Sequence, residues 1–402
     1  MRRRLAVFFL FLACVPVAAA ATPGSSTVLQ RKLARALRVP HISQARSAAL
    51  AVDLATGEVV YTQNASRPLA PASNEKLPLT YAALSLLGPT YRFQTDVLGE
   101  GSQDGALWDG ALVLKGGGDP TLTHWGLLAL AKQVRAAGIG RVTGGIVADE
   151  SWFDTQRTVA GWKLGFYLNE SPPLSALVVD RDRVGGHLST NPALSAGVAF
   201  RAELRKVGVV VSGPVRVGVA DDYVVPLASV ASPILATIIR FMDRESDNFT
   251  AELLLKQLGA TQLDRGTSAA GAAAVTHALV EAGVPTAGVR IVDGSGLSVL
   301  DRLTANALAT LLRAAWDDPA IRQPLVAALP VAGVNGTLED RMRRGPAHGT
   351  VVAKTGTTRE ASALSGFARS RYVFAVVQNG HPLPYWWARV AQDRFAQVLA
   401  AQ

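Results

Sequence analysis

The sequence of 402 residues predicts a mixed α/β (α+β) fold in two or three domains, one of them interrupted by a β-rich insertion. Three observations lead there. The length exceeds what a single hydrophobic core organises. With 49% hydrophobic and 18% charged residues, the chain has ample apolar surface to bury and too little charge for a solvated coil. Helical periodicity dominates both ends, whereas residues 99–230 are short Val/Leu-rich runs parted by glycines. The expected organisation is an export signal at 1–21, one domain in two parts at 22–98 and 231–402, and the inserted β-rich domain at 99–230.

Arg2, Arg3 and Arg4 precede an apolar stretch, 5–17, and a run of small residues, 18–21. That is the pattern of a cleaved secretory signal, processed near Ala20 or Ala21. An uncleaved anchor is the alternative; a lipoprotein reading through Cys14 leaves the small-residue run unexplained. No other apolar run approaches bilayer length, which excludes a polytopic membrane protein and leaves no stable span after processing. Cys14 is the only cysteine, so a processed chain has neither disulfides nor thiol chemistry. The formal charge of +9 falls by three with the leading arginines, which suits an anionic cell envelope or periplasm. No dense Lys/Arg block with interleaved aromatics argues for nucleic acid.

Along the chain, residues 26–39 read as an amphipathic helix, and 48–54 with 58–61 as a hairpin about Ala55-Thr56-Gly57. An apolar helix follows Pro71-Ala72-Ser73-Asn74-Glu75-Lys76 and ends at Gly88-Pro89. The insertion carries strands such as 111–114 and a helix at 127–137. Helices are expected at 233–242, 249–258 and 269–282. Strands at 350–353, 363–367 and 372–377 precede a last helix at 384–401.

Lysine is scarce, with 8 lysines against 32 arginines, and a retained lysine is worth inspection because burial can make its amine a base near neutral pH. Two of the eight stand in motif positions. Ser73-x-x-Lys76 lies at a helix entrance, where residues three apart share a face and the helix N-terminus favours developing negative charge; a plain helix cap is the competing role for Ser73. Ser246-Asp247-Asn248 occupies a corner between two helices, with Ser189-Thr190-Asn191 as a decoy of the same spacing. Lys354-Thr355-Gly356-Thr357 follows a strand; Gly356 removes a side chain where a ligand backbone must approach, and the Thr357 amide can donate to an oxyanion.

In this order the three motifs resemble those of the serine penicillin-recognising enzymes, S-x-x-K, S-D-N and K-T-G. More narrowly, the chain resembles the D-alanyl-D-alanine carboxypeptidase/endopeptidase family of low-molecular-mass class C penicillin-binding proteins (peptidase S13) over nearly its whole mature length. Residues 53–57, 71–74, 118–123 and 293–298 carry that likeness. The resemblance implies a transpeptidase/β-lactamase-like domain, an antiparallel sheet flanked by helices plus an all-helical part, with the inserted β-rich domain after the first motif. It implies Ser73 as nucleophile, Lys76 as its base, and Ser246 as proton relay tuned by Lys354. Lys354 and Thr355 would hold the substrate carboxylate and Asn248 the peptide amide, while the Ser73 and Thr357 backbone amides would form the oxyanion hole. Asp149 resembles an acidic position that recognises the free amine of a stem peptide. The implied substrate is the peptidoglycan stem peptide, with β-lactam antibiotics as inhibitors and no cofactor. Two departures stand out: Pro78, expected to strain the first helix, and Asp180-Arg181-Asp182, where relatives tend to carry asparagine.

Rival readings are a serine β-lactamase and a non-catalytic envelope protein binding peptidoglycan or β-lactams. A class A lactamase needs a deacylating glutamate, and Glu252, Glu281 and Glu339 lack the usual asparagine four residues on. The six histidines are scattered without paired ligand spacing, against a metallopeptidase.

Overall fold

The computed structural model describes residues 23–167, 169–184 and 187–402, so the expected signal at 1–21 lies outside the described residues. The chain begins with α1 (Pro23–Leu37), β1 (Ser47–Asp53), β2 (Val59–Gln63) and, after a 3-10 turn at Ala72–Glu75, α2 (Lys76–Leu86). A second unit follows: β3 (Gln94–Asp104), β4 (Leu107–Gly116), α3 (His124–Ala136), β5 (Arg141–Val142), β6 (Ile146–Asp149), β7 (Arg183–Val184), β8 (His187–Leu188), α4 (Pro192–Lys206), β9 (Val210–Val211), β10 (Val215–Val217) and β11 (Val225–Ala231). The chain then returns through α5 (Leu235–Glu245), α6 (Asn248–Leu263), α7 (Ser268–Glu281), α8 (Ala305–Asp317) and α9 (Pro319–Ala328). It closes with β12 (Val351–Thr357), β13 (Ala361–Ala368), β14 (Tyr372–Asn379) and α10 (Tyr385–Ala400).

The first sheet has the order β12-β13-β14-β1-β2 and is antiparallel throughout. Alternate residues of β1 enter different cores: Ala48, Leu50 and Val52 pack with α2, α5, α6, α8 and α9, while Ala49 and Ala51 pack with α1 and α10. A strand buried on both faces needs an apolar run rather than alternation, which is why Ser47–Asp53 reads so hydrophobic. Strand β12 is an edge of this sheet and faces the 3-10 turn that carries Ser73.

The second sheet joins β10-β6-β4-β3-β11, with β5 beside β4 and β9 beside β5. It is mixed: β3 pairs antiparallel with β4 and β11, and β6 pairs parallel with β4 and β10. Helices α3 and α4 bury Leu127, Leu130, Val134, Phe200 and Leu204 against it. Helices α8 and α9 carry no expectation above; α8 is N-capped by Thr304 and α9 by Asp318.

Pro78 is the third residue of α2, so its missing N–H falls in the first turn, where amides lack intrahelical partners. The expected strain does not reach the motif, because Lys76 Nζ lies 3.3 Å from Ser73 Oγ.

Candidate active site

Three segments distant in sequence meet beneath the β12 edge. Helix α2 is buried on every side from Lys76 to Leu84, so Lys76 at its start is drawn inside with it. Its amine donates to Asn248 Oδ1 at 2.9 Å and to the Ser295 carbonyl at 2.8 Å, and reaches Ser73 Oγ. Ser246 ends α5 in the left-handed conformation (φ 59°), turning its hydroxyl toward the cleft. Asp247 caps α6 through the Thr250 amide at 2.8 Å, which leaves Ser246 and Asn248 free for other partners. Lys354, buried on β12, donates to Ser246 Oγ at 2.9 Å and to the Thr355 carbonyl at 3.0 Å. The site therefore holds two hydroxyls, each facing one buried amine.

Burial lowers both amines. Lys354 is pushed down to about 7, first by desolvation and then by the Lys76 charge, with Asp243 opposing. Desolvation also holds Lys76 below its usual range, although Asp293, Glu252, Asp247 and Asp243 pull the other way. Behind Lys76 the carboxyls move upward: burial and the neighbouring Asp293 raise Glu252 to about 8 and lift Glu75 well above its ordinary value.

The Ser73 backbone sits between two glycines. A methyl on Gly356 would lie 2.8 Å from the Pro71 carbonyl and 3.0 Å from the Ser73 amide, and one on Gly296 (φ 82°) would collide with the Ala72 carbonyl. This corrects the expectation for Gly356: the backbone that approaches it is the protein's own. Asn74 Nδ2 donates to the Lys354 carbonyl at 3.0 Å, tying the first motif to the third. Thr355 Oγ1 is bonded to Thr337 Oγ1 at 2.7 Å, and the exposed Thr357 receives Arg389 Nη2 at 3.4 Å. A cavity of about 610 Å³ opens beside Ala72, Gly296 and Thr357, with Lys163, Phe166 and Glu170 on another side.

Asp149 is a correction. It is fully buried at the end of β6, and its two oxygens accept from the Ser151 and Ala220 amides at 2.8 and 3.0 Å. With both oxygens spent on backbone, it fixes a turn and does not present a receptor for a free amine. The decoy is structural as well: Asn191 caps α4 through the Leu194 amide. Arg181, within the departing Asp180-Arg181-Asp182, pairs with Asp247 at 2.6 Å and lies 5.1 Å from the Phe249 ring, bracing the second motif.

Sequence reasoning did not assign the support for Lys76. Glu252, one turn beyond Asn248, accepts from the Gly294 and Ser295 amides at 3.1 and 2.8 Å. Asp293 accepts from the Gly296 and Ser298 amides, both at 2.7 Å, and from Trp162 Nε1 at 2.8 Å. These carboxyls shape the loop that delivers the Ser295 carbonyl to Lys76. The only sequence signal for it was the turn-forming run 293–298. Among the described residues no cluster of three His, Cys, Asp or Glu side chains is arranged to hold a metal ion.

Known proteins resemble the chain over nearly its whole length. The D-alanyl-D-alanine carboxypeptidase of Actinomadura sp. (strain R39) is 33% identical, over 97% of this chain and 87% of its own length. The carboxypeptidase DacB of Mycolicibacterium smegmatis is 34% identical, over 96% and 86%. Penicillin-binding protein 4 of Haemophilus influenzae shares the fold, with a TM-score of 0.80 at 22% identity, covering 93% of this chain and 98% of that one. The D-Ala-D-Ala carboxypeptidase 3 (S13) family matches residues 29–190 and 186–401, and the chain belongs to that family.

Proposed function

We propose that this protein is a serine D-alanyl-D-alanine carboxypeptidase that cleaves peptidoglycan stem peptides through an acyl-enzyme and is acylated by penicillins. The observation that carries the reading is the arrangement about Lys76. A neutral amine has two N–H donors and one lone pair; with the donors on Asn248 Oδ1 and the Ser295 carbonyl, the lone pair is left for the Ser73 hydroxyl. Ser73 Oγ then attacks the carbonyl between two D-alanines while its proton passes to Lys76. Ser246 gives its proton to the leaving amine and Lys354 replaces it. Water attacks the ester next: one of its protons returns to Lys354 through Ser246, its hydroxyl completes the acid of the shortened peptide, and Lys76 gives its proton back to the departing Ser73 Oγ.

Asn248 serves twice in this reading, holding Lys76 with Oδ1 and offering its amide group to the peptide. Thr355 and Thr357, on one face of β12, receive the terminal carboxylate with Lys354. The Ser73 and Thr357 amides stabilise the oxyanion; the close packing of β12 on the Ser73 backbone supports their convergence. The outer edge of β12 is bridged to Val331 only at Val352, and among the described residues no strand pairs with its outer edge from Lys354 to Thr357, which supports docking of the substrate there as an added strand. Sheet membership supports the domain limits, since β1, β2 and β12 to β14 form one sheet, while β3 to β6 and β9 to β11 form the other and β7 and β8 pair with each other.

Residues 1–21 direct export, and the enzyme works in the periplasm or cell envelope; amino-terminal sequencing of envelope-fraction protein tests this. For the activity, mass spectrometry after benzylpenicillin should show one adduct on the peptide containing Ser73, and purified muropeptides should lose a terminal D-alanine. A chain that neither acylates nor trims overturns the reading.

A further inference from the structure

Among the described residues, Arg389 is a cation without a carboxylate counter-ion at the edge of the site. Helix α10 lies across the first sheet, anchored by Gln392, whose Nε2 donates to Ser362 Oγ at 2.9 Å and Gln378 Oε1 at 3.2 Å. Ser362 is the cross-strand partner of Thr357. One helical turn before Gln392, Arg389 reaches over the strand end and donates from Nη2 to Thr357 Oγ1 at 3.4 Å. Its guanidinium lies 5.3 Å from the Tyr385 ring. Among the described residues no carboxylate pairs with it, and its Nε is buried with no partner. The neighbouring charge is another cation, Arg341, whose own carboxylate is Asp393 at 2.6 Å.

An unpaired, partly buried guanidinium is costly unless an anion completes it. The group that lands beside Thr357 in the proposed reaction is the carboxylate of the terminal D-alanine, and a planar fork of N–H donors matches a carboxylate better than a hydroxyl. We propose that Arg389 is a specificity-determining residue whose guanidinium is the counter-ion for the free carboxylate of the leaving group. The proposal rests on the carboxypeptidase reading and adds to it the residue through which an unblocked terminal carboxylate is selected.

The test compares kcat/KM for an N-acylated peptide ending in D-Ala-D-Ala with the same peptide ending in D-alaninamide. Wild type is expected to prefer the acid. In Arg389→Gln, kcat/KM for the acid should fall by about 10- to 100-fold, the scale of one hydrogen bond to a charged group, with the amide unchanged within about twofold. Arg389→Lys, which keeps the charge but not the fork, should retain an intermediate preference and so separates charge from misfolding. Parallel loss on acid and amide, or no loss on either, overturns the proposal while leaving the carboxypeptidase reading intact. Wild-type protein that turns over neither peptide and leaves Ser73 unacylated overturns both.

Discussion

Lys76 and Ser295 stand 219 positions apart in the chain, yet the Lys76 amine donates to the Ser295 carbonyl at 2.8 Å inside a fully packed interior. That contact orients the amine as much as it binds it, and the expectations below follow from it and its neighbours.

Replacing Lys76 should abolish acylation without unfolding the chain. Lys76→Met is expected to slow acylation by benzylpenicillin about 10²- to 10⁴-fold. Lys76→Arg should not rescue it, because a guanidinium stays protonated. Stopped-flow acylation rates check both; an arginine variant near wild type would remove Lys76 as the base.

Glu252 supports the loop that presents Ser295. Glu252→Ala strands two buried amides and should cost about 1–3 kcal/mol of stability for each unsatisfied donor. Acylation should slow with it. Glu252→Gln keeps an acceptor oxygen and should restore most of both. Thermal unfolding and kcat measured on the two variants together decide this.

Gly296→Ala should damage the site more than an ordinary glycine change. The position has φ 82° and its new methyl would meet the Ala72 carbonyl, pushing Ser73 from its place. The expected result is a lower melting temperature together with at least tenfold slower acylation. A variant that melts lower but acylates normally would show that the loop relaxes away from Ser73.

The pH dependence has a definite sign. Lys354 has a folded pKa of about 7 against an ordinary value of 10.5, so between these values the unfolded chain binds more protons than the folded one. Stability contributed by this group therefore rises with pH across that window. The gap in melting temperature between Lys354→Met and wild type should shift in favour of wild type from pH 7 to pH 10. A gap that is flat with pH would mean that Lys354 remains charged when buried. For activity, the lowered Lys76 places the rising limb of acylation below the ordinary lysine range.

Asp149→Ala should act through folding. Losing two backbone acceptors is expected to cost about 1–3 kcal/mol and to slow substrates with and without a free amine by the same factor. A selective loss on amine-bearing substrates would reinstate the role implied by resemblance.

Much of this protein was legible from local chemistry. Ser73 and Lys76 are three residues apart, so a single turn of helix brings them together in almost any context. The helix-to-helix corner at 246–248, the strand ahead of Lys354 and the glycine-parted texture of 99–230 are equally local. Helices α8 and α9 lacked an expectation although their caps, Thr304 and Asp318, are conventional. Asp149 misled because its carboxylate is acidic in any window of sequence, and only folding shows that the Ser151 and Ala220 amides have claimed it.

Motif order and residue type were enough to name the hydroxyls and amines. Which acceptor each amine bonds and which glycine shelters which backbone were settled by packing between segments far apart in the chain. Burial is the physical reason: it strengthens the few polar contacts that survive inside, and no pattern of neighbours along the chain encodes which ones those are.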